Sequence, residues 1–160
     1  MGALTSNYFI VNCTYTNFTQ GSSVYIGKNS FTAAAGAVSK LFSITNTTFT
    51  NFTSGTAIQQ GKLTVASKGA FTNTVTASTI AFVKFLTGSA FMLAEMEVIG
   101  QSTCSNSITL ATASFSSVYT DGLSLGALSM TCLSTVSQVL SVSGSSFTDV
   151  QGSAISTGAQ

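Results

Sequence analysis

The chain has 160 residues, a net charge of +1, 44% apolar residues and only 6% charged ones. That composition can bury a core and lacks the high charge and low hydrophobicity of disordered chains. No basic cluster faces a phosphate backbone, so a nucleic-acid partner is not expected. No apolar run reaches roughly 18 residues, and Lys84, Glu95 and Glu97 interrupt the most apolar window, so no transmembrane span is predicted.

Pro, Trp, His and Arg are absent, and Ser and Thr supply about a third of the chain. Small polar and β-branched residues favour strands over helices. The opening segment Met1-Gly-Ala-Leu-Thr-Ser6 has no signal-peptide pattern. The expectation is a processed export product or a piece of a longer chain.

The first patterned segment is Tyr15-Thr-Asn-Phe-Thr-Gln-Gly-Ser-Ser-Val24. It returns as Phe49-Thr-Asn-Phe-Thr-Ser-Gly-Thr-Ala-Ile58 and as Phe82-Val-Lys-Phe-Leu-Thr-Gly-Ser-Ala-Phe91. Looser copies begin at Phe115 and Phe147. The leading aromatics Tyr15, Phe49, Phe82, Phe115 and Phe147 are spaced by 34, 33, 33 and 32 residues. Gly21, Gly55, Gly88, Gly122 and Gly152 follow them in near step. Other columns align too: Ile10, Ile44, Ala77, Leu110 and Val142 before the aromatic, and Phe18, Phe52, Phe85, Val118 and Val150 after it. Val24, Ile58, Phe91, Leu125 and Ile155 form a further column, as do Phe31, Val65, Val98 and Met130, and Val38, Phe71, Cys104 and Val136.

Within each unit apolar residues alternate, as in Leu63-Thr-Val65 and Leu140-Ser-Val142, which is the period of a strand. Each unit reads as about three short strands separated by Gly, Ser, Thr and Asn turns. Such a unit cannot bury its own apolar face, but stacked units can. The leading aromatics are expected to form an inward ladder, and the glycine to sit at a corner needing positive φ. Helical repeats of similar period need Ala, Leu and charge. A left-handed β-helix would show three equal short repeats per coil, and neither pattern is present. The predicted fold class is therefore all-β: a right-handed parallel β-helix of about five coils with about 33 residues per coil, spanning residues 1–160 as one domain or as a segment of a longer solenoid.

Gly55-Thr-Ala-Ile58 and Gly152-Ser-Ala-Ile155, each after an aromatic-x-Asn/Asp step, resemble the Gly-Gly-Ala-Ile and Phe-x-x-Asn signatures of polymorphic outer membrane repeats. That family consists of right-handed parallel β-helix proteins of the pectin-lyase-like class. This chain has one glycine instead of two, and its Asn stands one place early. The class includes adhesins, passenger domains, surface proteins and carbohydrate-cleaving enzymes, so the resemblance implies a fold more than an activity.

Carbohydrate cleavage needs clustered carboxylates. Glu95, Glu97, Asp121 and Asp149 are the only acids. Glu95 and Glu97 share an outward face and could bind a cation or act as acid and base. The plainer reading is a solvated pair beside Lys62, one coil earlier. Asp121 and Asp149 are out of register and read as turn residues. No catalytic, metal or cofactor-binding residue is assigned, and no enzyme is expected.

Cys13, Cys104 and Cys132 are read first as free thiols, because the site stacked on Cys104 is Val136 and a Cys104–Cys132 bridge is out of register. One disulfide across a corner is the alternative. Three dispersed thiols without His do not make a metal site. The sequons at Asn12, Asn17, Asn46 and Asn51 fall in the first two units at equivalent places. They are candidate glycan anchors in a secreted protein, or else Asn simply suits the turns there. Thr14, Thr48, Ala81, Ser114 and Ser146 form an outward row, which carries an ice-binding alternative. Neither end offers a polar helix or charges as a cap. The expectation is a structural or adhesive module, extracellular or at the cell surface, that self-associates head to tail as a filament. The alternative class is a polysaccharide-active β-helix enzyme.

Overall fold

A computed structural model describes residues 2–159, and among these every regular element is a strand. The first coil contains β1 (Leu4–Val11), β2 (Thr14–Phe18), β3 (Ser22–Ile26) and β4 (Asn29–Ala33). The second contains β5 (Val38–Phe52), β6 (Thr56–Gln60) and β7 (Leu63–Ser67). The third contains β8 (Phe71–Phe85), β9 (Phe91–Leu93) and β10 (Met96–Gly100). The fourth contains β11 (Cys104–Val118), β12 (Leu123–Leu125) and β13 (Leu128–Cys132). The last contains β14 (Val136–Ser143), β15 (Ser146–Val150) and β16 (Ile155–Thr157).

All pairings are parallel and join equivalent strands of successive coils, so the chain is a parallel β-solenoid of about five turns. Three sheets run along it. The first stacks β1 and β2 on β5, β8, β11, and then β14 and β15; the second is β3-β6-β9-β12-β16; the third is β4-β7-β10-β13.

The aromatic column is an inward ladder of stacked rings. Centroid distances are 5.0 Å for Tyr15–Phe49, 5.2 Å for Phe49–Phe82, 4.7 Å for Phe82–Phe115 and 4.6 Å for Phe115–Phe147. A second ladder runs through Phe18, Phe52 and Phe85 at 4.9 and 4.5 Å. Each ring pair contributes about 0.5–1.5 kcal/mol beyond its buried area. Phe49, Phe82 and Phe115 are fully buried.

The long strand of each coil is bent twice, which the alternation alone does not reveal. Pairing between β5 and β8 skips Asn46 opposite Thr79, and again Asn51 opposite Lys84. These residues adopt left-handed backbone. One column is Asn12, Asn46, Thr79, Thr112 and Gly144, the other Asn17, Asn51, Lys84, Ser117 and Asp149, with φ between 49° and 62°. Asn tolerates this conformation best among non-glycine residues. The amide of Asn46 donates to Asn12 Oδ1 at 2.8 Å, and that of Asn51 to Asn17 Oδ1 at 3.1 Å, so neighbouring bends are tied together.

Two expected columns are corrected in the fourth coil. Phe91 pairs with Leu123, and Leu123 with Ile155, so Leu125 is not in that column. Val118 still pairs with Phe85, which places a one-residue deletion between Val118 and Leu123. The same slip removes Gly122 from the glycine column. Gly21, Gly55 and Gly88 have φ of 81°, 111° and 83°. A Cβ on Gly55 would run into the Gly21 carbonyl, so this corner demands glycine for space as well as conformation. Thr120 takes the next place, donating its hydroxyl to the Gly88 carbonyl, and Gly152 lies against Thr120.

Candidate functional site

The four acids do not converge. Lys62 Nζ lies 2.9 Å from Glu95 Oε1 and 3.1 Å from Glu97 Oε2, an exposed three-residue cluster on the outer face of the third sheet. The hydrogen bonds that the Lys62 ammonium donates to Glu95 and then to Glu97 hold its pKa above the ordinary lysine value. The register that places Met96 on Leu63 also sets Glu95 beside Lys62, as the sequence implied. The lysine occupies the space between the two carboxylates, which leaves them as a solvated pair worth little. Asp121 accepts the Ser153 backbone N–H at 2.9 Å, in a turn as expected. Asp149 instead occupies a left-handed bend within β15. Among the described residues no three His, Cys, Asp or Glu side chains gather as a metal site, and no helix is long and apolar enough to cross a membrane.

The first reading of the cysteines, as three free thiols, is corrected, and the alternative of one disulfide across a corner holds. Cys104 and Cys132 form a disulfide with their Cα atoms 6.3 Å apart. Stacking along the sheet does put Val136 on Cys104. The bridge, however, crosses the corner between the first and third sheets. Cys104 opens the fourth coil and Cys132 closes its last strand, so the bond turns that coil into a ring. Cys132 pairs with Gly100, where any Cβ would press on both sulfur atoms. A glycine beneath Cys132 was the sequence signal for this room. Cys13 is a free, partly exposed thiol.

Asn12, Asn17, Asn46 and Asn51 are all exposed, at the bends described above. Their backbone conformation accounts for Asn at these places without a glycan. The row Thr14, Thr48, Ala81, Ser114 and Ser146 faces outward, but the alanine breaks its hydroxyl pattern.

Sequence reasoning missed Lys40. Its side chain is wholly buried, its Nζ donates to Gln60 Oε1 at 2.6 Å, and it stands 5.9 Å from the Tyr8 ring centre and 6.0 Å from that of Phe42. Burial lowers its pKa to about 8. Strand parity did signal it, because the alternation that turns Val38, Phe42 and Ile44 inward turns residue 40 inward as well.

The ends differ from the middle. Val136, Leu140 and Val142 of the last coil are 47%, 41% and 36% exposed, whereas Cys104, Ile108 and Leu110, one coil inward, are 0%, 9% and 1% exposed. At the other end Leu4 is 39% exposed, against 1% for Val38 stacked on it. Strands β1 to β4 carry no charged residue, and β14 to β16 carry only Asp149. Among the described residues nothing covers these two cross-sections of the core. No protein-family profile, curated protein or solved structure matches the chain. Its parallel, in-register coils define the class as the parallel β-solenoid.

Proposed function

We propose that the chain is a structural or adhesive module, extracellular or at the cell surface. In this reading it extends by parallel stacking at its ends, head to tail with further copies or within a longer solenoid. One observation carries the reading: inward columns that are buried in the middle become exposed at both end faces. Open strands with little charge are templates for further strands, and each end presents backbone groups that a neighbouring coil would pair. Five levels at the spacing of paired strands make a block roughly 24 Å long. Glycans on the exposed sequon asparagines belong to the same reading. Natively sourced protein should then carry added mass at one or more of the four sites, and bare Asn at all four removes this part.

The test of stacking is light scattering across a concentration series, on wild type and on Leu140→Asp. A carboxylate on the end face should keep the variant monomeric with unchanged strand content, while wild type grows with concentration. Wild type that stays monomeric throughout, or a variant that assembles equally well, overturns head-to-tail stacking of separate copies.

A further inference from the structure

The core is two apolar clusters, one around Phe42, Phe49 and Phe82 and one around Val38, Leu63 and Phe71. Between them, on the inward face of the first sheet, every coil carries a polar residue: Ser6, Lys40, Asn73, Asn106 and Gln138, stacked in register. Hydroxyl, ammonium and amide at one inward position form a polar seam through the stack.

The seam is filled unequally. In the second coil the long Lys40 side chain spans it and ends on Gln60. In the next two coils the residue is the shorter Asn, and a cavity of about 40 Å³ opens there. Gln60, Asn73, Asn106 and Gln138 supply its polar wall, with Leu93 and Ile108 among its apolar lining. Asn73 is 3% exposed. Its amide nitrogen donates to Asn106 Oδ1 at 2.8 Å. Its own Oδ1 is buried and has no hydrogen-bond partner among the described residues. A buried carbonyl oxygen left this way is costly and rare.

We infer that this cavity, which reaches the exposed Gln138 of the last coil, is a hydration site whose ligand is water bound to Asn73 Oδ1. Size and chemistry select the ligand. Small organic ligands need cavities of roughly 300 Å³ or more, whereas one water needs only about 10–15 Å³. An anion would face the carbonyl oxygen of Asn73, and a cation would share the seam with the Lys40 ammonium. An apolar guest would leave the amides unpaired. A neutral molecule that both donates and accepts meets none of these penalties. Gln60 then joins two environments, its oxygen accepting the Lys40 hydrogen bond while its side chain also lines the hydrated space.

The experiment is high-resolution diffraction from native crystals, with and without xenon pressurisation. The proposal expects a water peak within hydrogen-bond distance of Asn73 Oδ1 and no xenon in the cavity. The Asn73→Leu/Asn106→Leu double variant should lose that peak and take up xenon, because dry apolar cavities bind it. Xenon in the wild-type cavity, absent density beside Asn73 Oδ1, or a peak that scatters as a heavier ion would each overturn the inference. The wild-type crystals alone decide it if the double variant does not fold.

Discussion

Leu110 and Val142 occupy the same column in adjacent coils, yet one is 1% exposed and the other 36%. Ile108 and Leu140 repeat the contrast at 9% and 41%. The residues are of one kind, and their strands pair in register. The middle coils are covered on both sides and the last coil on one. Burial in this molecule is thus a property of the neighbour, not of the coil itself. Stability should follow the same rule, as a chain of nearest-neighbour terms that weaken toward the ends.

The widest gap between middle and end should appear in the ring ladder. Phe82→Ala removes a ring packed between Phe49 and Phe115 and should cost about 3–5 kcal/mol in chemical denaturation. Phe147→Ala removes a ring stacked on one side only, against Phe115, and should cost clearly less. Equal losses would break the comparison.

The disulfide closes the fourth coil, next to the open end. Cys132→Ser, or full reduction, should lower stability by about 2–4 kcal/mol. Hydrogen exchange should place the loosening in β11 to β16 and leave β5 to β8 protected. Uniform loosening along the solenoid would argue against independent neighbour terms.

Lys40 tests the middle from within. Its folded-state pKa, about 8, lies below the ordinary 10.5 because burial disfavours the ammonium. Between these values the unfolded chain holds a proton that the folded chain has released, so stability should rise with pH across that window. The gain is at most roughly 3 kcal/mol. Tyr8 is the titratable group facing the ammonium, and the ion pairs of the described residues involve Lys62 alone. Melting temperatures of wild type and Lys40→Met, compared from pH 7 to 10.5, isolate the effect. Parallel curves would show that Lys40 does not titrate in this range.

The smallest effect concerns the bends. Thr79 holds a left-handed backbone at φ 54°, where the two coils below it use Asn. Thr79→Asn should stabilise the chain by roughly 0.5–1 kcal/mol, since Asn accepts this conformation at lower cost than a β-branched residue. A loss of stability would mean that the threonine side chain makes a compensating contact.

The period of Tyr15, Phe49, Phe82, Phe115 and Phe147 made the stack legible, because identical side chains must meet when coils are superposed. What stayed hidden lay at corners. Gly122 was matched to the glycines before it, although the deletion after Val118 had shifted the register by one residue. Register along one sheet sets Cys104 against Val136, whereas its bridge to Cys132 spans two sheets within one coil. Lys40 is charged, a residue type that rarely faces a core, yet its strand parity marks it as inward. The left-handed bends recur in every coil, but Asn marks them only in the first two, and Thr79, Lys84, Thr112, Ser117, Gly144 and Asp149 carry no common sequence signal for them.

The most direct test of the account is imaging and fibre diffraction of the natively sourced protein at high concentration. The account predicts filaments with a reflection at about 4.8 Å along the filament axis, the spacing of stacked parallel strands. Discrete, unassembled particles at every concentration, with Leu140 and Val142 covered by something other than a further parallel coil, would contradict it.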